Sequence, residues 1–172
     1  MPYANPLAGR AREAGGLPYS AGVPAAGTTA VQTISSTGTP TGGTFKLKYG
    51  SQRTSALAYN ASAANIQTAL RALSNIGSSG VNCSGGALPT DVVVTFAGPL
   101  AKRAVKTISV VEKALTGGSS PDITVANTTP GVNSEFPGLA GVGQPVRGGD
   151  GKLYVNTGTA DSPTWTVAGS QT

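Results

Sequence analysis

The stretch GGTFKLKYGSQRTSALAYNASAANIQTALRALSNIG, residues 42–77, constrains the fold more than any other part of this chain. GTFKLKYG alternates strictly. Phe45, Leu47 and Tyr49 fall on one side and Thr44, Lys46 and Lys48 on the other, the period of a strand with one buried face. Gly50 and Ser51 suit a turn, and TSALAY predicts a return strand with Leu57 and Tyr59 inward, completing an antiparallel hairpin. Ser62 then supplies a hydroxyl that can accept from an unpaired amide of a first helical turn. Ile66, Ala69, Leu70 and Leu73 follow at i, i+3, i+4 and i+7, one apolar stripe on a helix of about 62–74. Gln67 and Arg71 on that helix are expected to face solvent, and Gly77 lies where the ending helix favours positive φ.

The remaining strand signals lie on both sides of this stretch. VQTISST precedes it. VNCSGG, DVVVTFAG, KTISVVEKALTG and DITVANTTPG follow it, with Val92, Val94 and Phe96 sharing one face of the strongest of them. Ile108 and Val110 alternate in the next, Ile123 and Val125 in the last. One helix among antiparallel strands predicts an α+β, mainly β fold: an antiparallel β-sandwich-like domain over residues 31–131, packed by a single helix. No repeated βαβ unit is present, which argues against a doubly wound nucleotide-binding sheet.

Two appendages flank that domain. Residues 1–30 hold Pro2, Pro6, Pro18 and Pro24 among Gly and Ala, so neither a helical nor a strand period survives. The segment reads as an extended N-terminal arm, with Tyr3, Leu7, Leu17, Tyr19 and Val23 spaced as anchors along a neighbouring surface. A plain terminal tail is the alternative. Residues 132–172 begin as a linker, where Phe136, Leu139 and Val142 are candidates to dock, and end in a predicted C-terminal hairpin. Leu153 and Val155 share a face of its first strand, Trp165 and Val167 of its second, with Thr157–Pro163 turning between. Trp165 is read either as ordinary core or as packed against another surface.

Catalytic chemistry has little to work with. The chain has no His, which excludes Ser-His-Asp, Cys-His and His-based metal sites. Its seven carboxylates are scattered, and its glycine doublets fit neither the P-loop nor the dinucleotide pattern. Cys83 stands alone with no base to activate it, so it reads as a small strand residue, and no disulfide can form within the chain. A single cysteine suits assembly in a reducing cytoplasm. No cofactor is implied, and no apolar run approaches a membrane span. The net charge of +5 comes from the central domain, where Lys46, Lys48, Arg53, Arg71, Lys102, Arg103, Lys106 and Lys113 face only Asp91, Glu112 and Asp122. Lys102, Arg103 and Lys106 form the one tight cluster. Without clustered Arg and exposed aromatics, nucleic acid is disfavoured as its partner against an acidic protein surface.

GGTFKLKYG, ALAYNASAANIQTALRALSNIG, VNCSGG and DVVVTFAGPLA together resemble a module of tailed-bacteriophage virion proteins, the capsid decoration and minor capsid family that carries GGTF…AYNASAA…AL. The resemblance covers residues 42 to about 101. GKLYVNTGTADSPTWT is similar to segments at the ends of phage head and fibre proteins. The module also occurs in bacterial surface proteins. This chain departs from it at Lys46, Lys48, Lys102 and Arg103, where small neutral residues are commoner, and that departure marks a surface suited to an acidic partner.

The resemblance implies a non-enzymatic structural protein on the outer surface of the capsid, assembled in the host bacterial cytoplasm and stabilising the shell. Its implied partners are the major capsid protein and further copies of itself. A trimer is ahead of a dimer, because capsid lattices offer local threefold and twofold positions. Tyr3, Leu7, Leu17, Tyr19, Val23, Lys102, Arg103, Lys106, Phe136 and Trp165 are the candidate interface residues. The alternative is a carbohydrate-binding or adhesion module of a tail fibre or host-surface protein, with a glycan as ligand. A tail-tube or neck protein is the third reading.

Overall fold

Strand alternation sorts the side chains into an inner and an outer set. The computed structural model of the chain describes residues 24, 27–133, 143, 145–159 and 163–169. Thr28–Val132 is one compact unit. It contains β1 (Val31–Thr37), β2 (Gly42–Tyr49), β3 (Gln52–Arg53), β4 (Leu57–Ala58), α1 (Ala63–Arg71), β5 (Val81–Gly85), β6 (Val92–Phe96), β7 (Ser109–Thr116) and β8 (Asp122–Thr129). One sheet runs β5-β6-β1-β8. The other has β2 at its centre, β7 on one side and the short β3 and β4 on the other. All pairings in both are antiparallel. Ile34, Val92, Val94, Phe96 and Ile123 of the first sheet share one core with Phe45, Leu47 and Tyr49 of the second. Each such side chain contributes about 1.5–3 kcal/mol when fully buried. The α+β, mainly β sandwich with one helix is therefore the observed fold.

The hairpin differs in detail from its expected form. Lys48 pairs with Arg53 and Phe45 with Leu57, so three steps along β2 face four along the return. Thr54 sits at the interruption. Its hydroxyl accepts from the Leu47 N–H (3.0 Å), and its own N–H donates to the Leu47 carbonyl (2.9 Å). A side-chain oxygen thus stands in for a strand carbonyl and keeps the buried Leu47 amide satisfied. Tyr59, expected inward, is only half-buried.

The helix begins where expected, with Ser62 Oγ accepting from the Asn65 N–H at 3.2 Å. It buries Ile66, Ala69 and Leu70, with Leu73 and Ile76 just beyond. Gly77 has φ +75° and returns its N–H to the Leu73 carbonyl at 2.8 Å. The expectation that Gln67 and Arg71 face solvent is corrected. Gln67 Oε1 accepts from the Cys83 N–H (2.7 Å), Arg71 Nε donates to the Val81 carbonyl (2.9 Å), and Arg71 Nη2 donates to Asn82 Oδ1 (2.7 Å). Strand β5 is an edge, and these side chains take up backbone groups that face away from β6. An open edge of that kind invites pairing with another chain.

Away from the helix, β1 and β7 both cross to the opposite sheet at a shared corner. Ser119 N–H donates to the Gly38 carbonyl (2.9 Å) and Thr41 N–H to the Thr116 carbonyl (2.9 Å). The two turns lie backbone to backbone. Gly118 has φ +63°, and a Cβ there would run into the carbonyls of Gly38 and Thr39.

A polar contact ties the sheets together inside the core. Gln32 projects inward from β1 with 0% of its surface exposed. Its Nε2 donates to the Lys106 carbonyl (3.1 Å), and its Oε1 accepts from the Ile108 N–H (2.9 Å), on the segment leading into β7.

The described residues after Val132 form a second, separate arrangement: β9 (Pro145–Arg147), β10 (Leu153–Asn156) and β11 (Trp165–Val167), antiparallel in the order β11-β10-β9. The expected hairpin is β10–β11, and a third strand joins it from the segment that composition marks as linker. The buried face of β10 carries Tyr154 and Asn156 rather than Leu153 and Val155. Asn156 explains the choice. Its Oδ1 accepts from the Gly158 and Thr164 N–H groups (2.9 Å each), and its Nδ2 donates to the Thr159 carbonyl (3.1 Å). One buried amide therefore shapes the connecting loop.

Two substitutions test this account by urea unfolding. Gln32→Leu leaves a buried carbonyl and a buried N–H unmatched, at about 1–3 kcal/mol each. After allowing for the more apolar side chain, a loss of about 2–4 kcal/mol is expected. A loss below about 0.5 kcal/mol would mean Gln32 only fills space. Gly118→Ala adds a left-handed penalty of about 1–2 kcal/mol to a backbone clash, so at least ~2 kcal/mol should be lost. An unchanged midpoint would contradict the close approach of the two turns.

Candidate functional site

The cluster Lys102, Arg103 and Lys106 lies on the connection between β6 and β7, which crosses one end of the sandwich. After β6, Pro99 and the positive φ of Gly98 (+50°) shape a 3-10 turn at Gly98–Leu100. Lys102 follows with φ +48°, and its N–H donates to Thr29 Oγ1 at 3.3 Å. The Arg103 carbonyl then lies against Gly131, where a Cβ would not fit. Lys106 is held through its backbone by Gln32. Lys102 and Arg103 are half-buried and Lys106 is exposed. The cluster is thus fixed by backbone contacts that leave its charged ends outside the core.

The same end holds both termini of the unit. Thr28 N–H donates to the Val132 carbonyl (3.0 Å), and Val132 N–H donates back (2.9 Å). Lys48 reaches this end through the register of β2 on β7, which sets it opposite Ser109.

Lys46 does not belong to that surface. Its Nζ lies 2.6 Å from Glu112 Oε2, and Arg53 Nη1 lies 2.8 Å from Glu112 Oε1. The expectation that Lys46 marks a face for an acidic partner is corrected: this charge is matched within its own sheet. Glu112 sits at a register shift of β7 against β2, with φ +49°. The extra residue of that bulge brings its carboxylate over the two cations. Lys113 pairs similarly with Asp122. Neither contact is visible in the sequence, because each depends on strand register between distant residues.

The other candidates divide. Tyr3, Leu7, Leu17, Tyr19, Val23 and Phe136 lie outside the described residues. Trp165 is half-buried on β11, opposite Asn156. Cys83 is partly covered beneath Gln67 and Arg71, and burial pushes its thiol up to about 12, with the Arg71 charge opposing. It stays protonated at neutral pH and is no nucleophile. A shallow open groove of ≈ 360 Å³ runs between β4 and α1, lined by Ala56, Ala58, Ala61, Asn65, Thr68 and Ala72 among others. Small side chains without a titratable group give it no catalytic chemistry. Among the described residues no group of three or more His, Cys, Asp or Glu is placed to hold a metal ion. None of their helices is long and apolar enough to cross a membrane.

No protein-family model matches the chain. Over 137 residues it is 31% identical to the tail sheath protein of Mycobacterium phage Bxz1. The match takes in 74% of this chain but spans only 22% of the length of that protein. A solved chain from Mycobacterium phage Patience aligns with 95% of this chain and 73% of its own length. Its TM-score of 0.44 and identity of 16% are too low to carry an argument. The sequence similarity therefore lies with a bacteriophage structural protein.

The Glu112 cluster gives a pH prediction. Hydrogen bonds from Lys46 first and Arg53 second hold the Glu112 carboxyl below its ordinary range. A carboxyl that titrates lower when folded adds stability above its unfolded value and loses it as pH falls through the folded one. Glu112→Gln should therefore destabilise at neutral pH and match the parent in acid. Urea midpoints across a pH series check this. Parent and variant curves that stay parallel into acid would contradict it.

Proposed function

We propose that this chain is a non-enzymatic structural protein of a tailed-bacteriophage virion, seated on the outer surface of the capsid and stabilising it. The observation that carries the virion class is the 31% identity to a tail sheath protein. That match spans 22% of the sheath protein, so what the two share is a module, suited to more than one virion surface. The fold supports the same reading. A sandwich with both ends bonded together needs one point of attachment, and its polar contacts are used in fixing edges, turns and loops. The major capsid protein is the proposed partner. Copies are proposed to occupy local symmetry positions, a trimer ahead of a dimer, with Tyr3, Leu7, Leu17, Tyr19 and Val23 as arm anchors.

A tail component is the second reading, and the sheath match favours it specifically. The glycan-binding reading lacks such support, since the groove beside α1 has no aromatic ring among its lining residues for a sugar to stack on. Immunogold labelling of virions with antibody raised to the purified chain separates these readings. Gold distributed over heads is expected. Gold along tails would transfer the protein to the second reading, and virions without gold would remove both.

A further inference from the structure

We infer that the basic end of the Thr28–Val132 unit is its docking face, and that its partner is an acidic protein surface of the particle. This deepens, and rests on, the virion reading. Three observations converge on that end. Both covalent links to the rest of the chain leave from it, held together by the reciprocal Thr28–Val132 bonds. Among the described residues Lys48, Arg103 and Lys106 lie there without an ion pair, whereas Lys46, Arg53, which faces Lys48 across the strand pair, and Lys113 are neutralised by carboxylates. None of the described carboxylates of the unit is left to match these three cations. Asp91 and Asp122 precede or open strands at the opposite end, and Glu112 is already engaged. Positive charge unmatched at one end makes a field that steers a negatively charged surface toward it. A protein surface fits better than nucleic acid. The described aromatics at this end, Tyr49 and Phe96, are 7% and 1% exposed and belong to the core, so among the described residues there is no ring at this end on which a base could stack. The opposite end, with the glycine corner of Gly38 and Gly118, then points away from the particle.

Zero-length carbodiimide coupling on intact virions of the encoding phage tests this, because it joins amines only to carboxylates in contact. Internal Lys46–Glu112 and Lys113–Asp122 links report the native fold. The expected result is coupling of Lys48 or Lys106 to Asp or Glu of another virion protein, with none from Lys113. Lys48→Ser with Lys106→Ser should also slow attachment to particles on the order of tenfold at low salt, with unchanged thermal unfolding. Native internal links with no external ones, external links through Lys113 alone, or links only to another copy of this chain would overturn the proposal and leave the virion reading standing. Ultraviolet coupling of these peptides to DNA would overturn it in favour of nucleic acid. Peptides of this chain missing from virions would overturn the virion reading itself, and this proposal with it.

Discussion

The amide of Gln32 sits in the apolar interior, and both of its ends are matched by backbone on the strand-to-strand connection above it. A typical hydrogen bond contributes only about 0.5–1.5 kcal/mol net, yet leaving such groups unmatched inside costs more. The contact therefore acts mainly as a constraint. It fixes which residues of the β6–β7 connection face inward as the chain passes from one sheet to the other. Tyr49 adds a second hold, bonded to the Lys106 backbone while burial raises its hydroxyl pKa. Lys106 projects outward because its backbone is committed inward. The geometry of the basic end is thus set from the core, and the surface charge is a consequence of an internal polar match.

A sandwich of two open sheets must also deal with its sides. Here one side is spanned by α1, which packs on β5 and β6 of the first sheet and on β4 of the second. Gln67 and Arg71 go further than packing, since they occupy the outward backbone groups of β5. At the other side β7 and β8 are tied at the shared glycine corner. A protein held at high local concentration on a repeating surface would be exposed to edge-to-edge pairing. Blunting the β5 edge with charged and amide side chains leaves association to be decided by chosen faces.

The parts that were legible in the sequence are those governed by local period. Phe45, Leu47 and Tyr49, then Val92, Val94 and Phe96, announce their strands and their inward faces. Ser62 and the Ile66–Leu70 stripe announce the helix. What was not legible involves polar residues used inside. The inward face of β1 carries Gln32 beside Ile34, and apolar alternation says nothing of a buried amide. Gln67 and Arg71 look like solvated helix residues until the position of β5 is known. The Glu112 cluster needs a bulge in a pairing between residues far apart in the chain. Pro145–Arg147 is too short and too rich in neighbouring glycine to register as a strand. On the candidate site, Lys102, Arg103 and Lys106 were found because they are close in sequence. The paired state of Lys46 and the place of Lys48 beside the cluster required register.

The reciprocal bonds between Thr28 and Val132 use backbone groups only, so nearly any residues outside them are compatible with the clasp. A domain whose ends meet in this way can sit within a longer chain without asking that chain to span any distance. That property accords with a sheath protein of which this chain matches only 22%. In this chain the clasped end carries Lys102, whose N–H donates to Thr29 beside the clasp, and Arg103, whose carbonyl lies against Gly131, so the closure that joins the two ends also fixes the basic cluster.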